Sequence, residues 1–139
     1  MRAELKYPVI VLPKKDNMVY VYFKEKDLKS TSEELLRKLD YTSFELIDES
    51  GAKFKIKKAF KVKFLGFWGF NPLLKGRQIL IDFEYEPEVT QVLLSDFKNE
   101  VLNRIDITKF IWKSGWDIIE LKEAVKKSSS FKEIANLLK

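Results

Sequence analysis

Apolar residues along this chain follow two periods, and the change between them divides it. From Tyr7 to Tyr85 they come in short runs or alternate with polar residues, as in strands. From Val89 onward they recur at helical spacing. Tyr7-Pro-Val-Ile-Val-Leu12 and Met18-Val-Tyr-Val-Tyr-Phe23 predict two strands joined across the turn residues Pro13 to Asn17. Their continuous apolarity predicts burial on both faces. Ser30-Thr-Ser-Glu33 has the pattern of a capping box. It predicts a short helix with Leu35, Leu36 and Leu39 on its apolar face, ending near Asp40.

Ser43 to Asp48 predicts a third strand, and Glu49-Ser-Gly51 a hairpin turn in which glycine takes a positive φ. A long fourth strand follows from Ala52 to Phe64, with room for a bend or break near Lys58-Ala59. Gln78 to Tyr85 predicts a fifth. Pro87 opens a helix whose stripe runs Val89, Val92, Leu93, Phe97, Val101 and Ile105. Thr108–Trp112 and two further segments complete a helical C-terminal third. One is capped by Ser114 or Asp117, the other by Ser130-Phe-Lys-Glu133. The expectation is a single α+β domain spanning 1–139, with an antiparallel sheet of about five strands flanked by helices.

Composition supports a packed core and limits the chemistry. The chain has 139 residues, 45% hydrophobic and 14% aromatic, with neither cysteine nor histidine. Disulfides, thiolate metal sites and imidazole bases are therefore absent. No Walker loop, dinucleotide-binding turn or nucleophile elbow is present. Asp82, Glu84, Glu86 and Glu88 alternate into the helix after the fifth strand. Asp82 and Glu84 could hold a hard cation, but plain alternation gives the same pattern on a solvated face, and lysines of the fourth strand could pair with them. We expect no enzyme, no metal and no cofactor. No signal-peptide pattern or membrane-length apolar run occurs, so the expected location is the cytoplasm.

Charge singles out one stretch. The net charge is +5, yet Lys53 to Arg77 carries eight basic residues and no acid. In its first half, apolar residues at even positions alternate with lysines, placing the strand aromatics opposite the lysines. Its second half, Gly66 to Leu74, is apolar and glycine-bearing where loops are usually polar. Such a loop is either tucked into the core or used for contact. Phe67, Trp68, Phe70 and Arg77 are the residue types that anchor interfaces, and Lys53, Lys55, Lys57, Lys61 and Lys63 could steer a partner. Lysines on a strand also serve as a solvated face or guard a sheet edge. Trp112 and Trp116, near a helix break, pose the same choice between contact and core, with core the favoured reading.

Tyr7-Pro8-Val-Ile-Val11, the polar turn with Asp16, Val19-Tyr-Val21, the capped helix and Asp48-Glu-Ser-Gly51 before Lys53-Phe-Lys-Ile56 together form a pattern. In these features the N-terminal half resembles small bacterial immunity-type proteins of polymorphic or contact-dependent toxin systems. The resemblance implies a non-catalytic protein that neutralises a cognate toxin by direct binding, and it assigns no binding residue. Inhibitors of nuclease toxins are commonly acidic. The basic charge here would instead suit an acidic toxin surface, unless the acidic stretch 78–107 makes the contact. The alternative is a single-stranded nucleic-acid-binding protein that uses the same lysines, with affinity falling steeply in salt.

Overall fold

The computed structural model describes residues 4–64 and 78–139. The order is β1 (Val9–Pro13), β2 (Tyr20–Tyr22), α1 (Glu25–Leu28), β3 (Ser30–Ser32), α2 (Glu33–Lys38), a 3-10 turn (Tyr41–Ser43), β4 (Phe44–Ile47) and β5 (Ala52–Phe64). β6 (Gln78–Tyr85), β7 (Thr90–Gln91), α3 (Leu94–Ile107), α4 (Lys109–Trp112), α5 (Ile118–Lys127) and α6 (Phe131–Leu138) follow. The fold is α+β, with a curled antiparallel sheet in the order β2-β1-β4-β5-β6-β3 and β7 beside the start of β5. The two strands beyond the expected five are the short β3 and β7.

β5 joins the two halves of the sheet. Lys53 to Lys55 pair with β4, and Ile56 to Phe64 pair with β6. The register against β6 shifts between Ile56 and Lys58 and again between Lys61 and Lys63. Each shift marks an extra residue on β5. Bulges of this kind bend the strand and increase its twist, which suits the curl.

The curl divides the interior into two cores. Ile10, Leu12, Val19 and Ile47 pack against Phe97, Val101, Ile105, Leu121, Val125, Ile134 and Leu138 of the helices. On the other face, Val9, Val11, Leu46, Phe54 and Ile56 meet Ile79, Ile81, Phe83, Leu28 and Tyr41. β1 feeds both cores with alternate side chains, which accounts for its continuous apolarity. β2 does not share this place. It is an edge strand, with Tyr20 and the following Phe23 exposed.

Two expected helix starts move because backbone pairing competes with capping. Ser30 to Ser32 pair with Gln78 to Leu80, so the cap of α2 is Ser32, whose Oγ accepts from the Leu35 amide at 3.2 Å. α3 begins at Leu94 rather than Pro87. Thr90 and Gln91 pair with β5, and the Val92 amide donates to the Gly51 carbonyl at 2.9 Å. The caps at Asp117 and Ser130 do form, accepting from the amides of Glu120 and Glu133 at 3.1 Å each. In the β4–β5 turn Gly51 has φ +82°, and the buried Asp48 accepts from the amides of Lys6, Ser50 and Ala52. The Ser50 hydroxyl also donates to Asp48, so three local bonds and the one from Lys6 hold the turn from which β5 starts.

Candidate functional site

The first bulge decides which side chains β5 shows to solvent. Before it, Phe54 and Ile56 enter the inner core, as alternation predicts. Lys57 is the extra residue, and the phase then inverts. Ala59, opposite Phe83, packs on the inner core, while Phe60 and Val62 turn outward and are 39% and 51% exposed. The aromatic and the lysines are therefore not on opposite faces throughout. Beyond the bulge Phe60 and Val62 share the outer face with Lys58, whose cross-strand neighbour is Glu84.

The lysines are in different situations. Lys53, half-buried, lies 3.3 Å from Glu45, and Lys57 lies 3.8 Å from Glu84. Lys61 reaches Glu33 of α2 at 2.7 Å. Lys55 is exposed and lines a cleft with Lys53, Glu86, Pro87 and Glu88. Pairing across to β6, raised by the sequence as a reading of Glu84, is thus what the sheet brings about. Phe67, Trp68, Phe70 and Arg77 lie outside the described residues, as does the side chain of Lys63. Trp112 and Trp116 are partly buried against the helix-side core.

Asp82 does not face an empty cation position. Lys29 Nζ lies 2.9 Å from Asp82 and 2.7 Å from Glu25, so an ammonium stands where a metal would. Burial disfavours that charge, but the hydrogen bonds Lys29 donates to the two carboxylates outweigh it and raise the pKa of Lys29. Among the described residues no group of three or more acids is placed to hold a metal ion.

No family model, curated protein or solved structure matches this chain. Among the described residues no helix is long and apolar enough to cross a membrane.

A second feature went unseen in the sequence. The inner face of the curled sheet is not fully filled, and a cavity of about 300 Å³ remains over Val11, Leu46, Ile56 and Phe83. Its mouth is formed by Tyr20, Tyr22, Leu35 and Leu39. Leu35 and Leu39 are 47% and 41% exposed, so of the three leucines predicted to face the core Leu36 alone packs on it. Thr31 and Tyr41 also line it. Burial raises the pKa of Tyr41 and of Tyr22, the latter further through Tyr41 and Tyr20, so these phenols stay neutral well above pH 7.

Proposed function

We propose that this chain is a non-catalytic binding protein that captures a protein partner through the outer face of β5. The observation that carries the reading is the outward turn of Phe60 and Val62 beside Lys57 and Lys58. An apolar pair on a charged sheet face supplies the desolvated centre of an interface, and the surrounding lysines favour a partner whose apolar cleft is rimmed by acids. Phe67, Trp68, Phe70 and Arg77, in the segment after β5, extend the set of anchors. Lys53, Lys55, Lys61 and Lys63 add to the steering charge. The resemblance of the N-terminal half to immunity-type proteins makes a bacterial toxin domain the first partner to test.

The outer face suits a protein better than a nucleic acid. The face is not a continuous basic stripe: Glu84 lies across from Lys58 and 3.8 Å from Lys57, and the exposed Phe60 and Val62 interrupt the lysines that a phosphate backbone would follow. The test is capture of a protein from lysate of the native host, followed by titration of the purified pair. Phe60→Asp with Val62→Asp should weaken binding by about thirtyfold or more, the scale of losing about 2 kcal/mol at an interface centre. Trp68→Ala should weaken it in the same direction. Unchanged affinity in the folded double variant would sink the outer-face assignment. Capture of single-stranded oligonucleotides alone, with steep salt dependence, would replace the reading with nucleic-acid binding.

A further inference from the structure

The cavity on the opposite face has the marks of a ligand site. Protein interiors are close-packed, with few voids larger than a water molecule. Here a void of about 300 Å³ lies over a buried apolar floor, with Leu46 0%, Val11 2%, Ile56 2% and Phe83 6% exposed. It opens between residues that a sealed domain would have covered. α2 contains Leu35 and Leu36, with Leu39 just after its end, yet none of its residues is fully buried. Two of these leucines border the mouth.

The lining also defines the chemistry. Among the described residues no charged side chain lines it. A charged ligand would lose its hydration there with no countercharge to replace it. The polar groups present are neutral hydroxyls, those of Ser30, Thr31, Tyr20, Tyr22 and Tyr41. The Ser30 hydroxyl donates to the Lys26 carbonyl, which leaves its lone pairs to accept. Apolar pockets with a few such groups hold a ligand by its body and orient it by one polar end. A dry apolar cavity of about 150 Å³ accommodates benzene, so one twice that size fits a body of about two rings.

We propose that the cavity between β1, β4, β6 and α2 binds a neutral two-ring-sized apolar small molecule, oriented through one hydroxyl by the serine, threonine and tyrosine hydroxyls. This site is separate from the outer face of β5 and does not depend on the partner proposed there.

The test uses the full chain and 2-naphthol as the probe, followed by titration calorimetry and by methyl resonances in NMR. Saturable one-to-one binding should shift the methyls of Val11, Leu28, Leu46 and Ile56. The anion 2-naphthoate, of nearly the same shape, should bind at least tenfold more weakly. Leu35→Glu with Leu39→Glu places charge at the mouth on exposed positions and should cost 2-naphthol at least tenfold. If that variant fails to fold, the methyl map of the unaltered chain decides alone. No saturable binding up to the solubility of 2-naphthol, equal binding of 2-naphthoate, or shifts confined to other surfaces would overturn the site. So would binding that disappears as the protein dimerises on concentration, because a second copy would then be the occupant.

Discussion

The inversion of phase at Lys57 can be tested by comparing two phenylalanines at even positions of the same strand. Phe54 is 5% exposed and its ring centroid lies 5.5 Å from that of Tyr85. Truncating it leaves a cavity in the inner core, so Phe54→Ala should cost about 3–5 kcal/mol. Phe60 is 39% exposed and faces solvent, so water fills the space that truncation leaves. Complete burial of such a side chain contributes about 1.5–3 kcal/mol, so partial shielding without a cavity term makes Phe60→Ala worth about 1 kcal/mol. Urea denaturation of both variants against the parent chain reads the difference directly. With a slope of about 2 kcal/mol per molar, the midpoint should fall by about 2 M for Phe54→Ala and about 0.5 M for Phe60→Ala. If alternation ran unbroken through β5, the two losses would be alike. A cost for Phe60→Ala above about 3 kcal/mol at unchanged slope would refute the bulge and the outer face built on it.

Gly51→Ala should be among the most destabilising single changes in the chain. At φ +82° an added Cβ would lie 2.5 Å from Gln91 Nε2 and 2.6 Å from the Phe131 ring. The left-handed backbone costs about 1–2 kcal/mol for a residue with a Cβ and overpacking adds about 1–3, which thermal unfolding would register as a large fall in Tm. Part of the acid sensitivity should arise at the start of α6. Glu133 accepts from the Ser129 amide at 2.8 Å and the Ser129 hydroxyl at 2.7 Å, which holds its pKa below the ordinary 4.5. A depressed carboxyl pKa means stability that is present above pH 4.5 and lost as the pH falls through the folded-state value. Glu133→Gln should flatten that part of the stability–pH curve, and an NMR titration of the Glu133 carboxyl should end below 4.5. A titration at or above 4.5 would refute the assignment.

The α+β class and most elements are legible because hydrophobic periodicity reports burial, and burial here follows the local pattern. β1 shows this well: four consecutive buried residues, Val9 to Leu12, feed two cores in alternation, and the continuous apolar run says so. What the sequence misplaces are positions where a local preference loses to a pairing made elsewhere. Ser30 is a good cap, but Ser30 to Ser32 are needed as a ladder partner of β6, and the cap passes to Ser32. Pro87 is a good helix start, but Thr90 and Gln91 are held by β5, so α3 begins after them. The cavity was unreadable for a related reason. Its walls come from elements between β1 and β6, and no short window of the sequence contains them together.

The outer face is a different case, because a signal for it does exist in the sequence. Apolar residues stand at 52, 54, 56, 60, 62 and 64, and the even series is interrupted only by Lys58. Read as a single substitution, that lysine leaves the alternation intact and assigns Phe60 and Val62 to the core. Read as a slip in phase, it makes Lys57 the inserted residue, Ala59 the next inward position and Phe60 an outward one. The two readings differ in cost, because a one-residue slip leaves one unpaired residue in the ladder while a buried Lys58 would leave a desolvated charge. The second penalty is much the larger. That inequality favours the bulge before any partner strand is considered. The pairing of Lys58 with Glu84 and of Ala59 with Phe83 is the register that it requires.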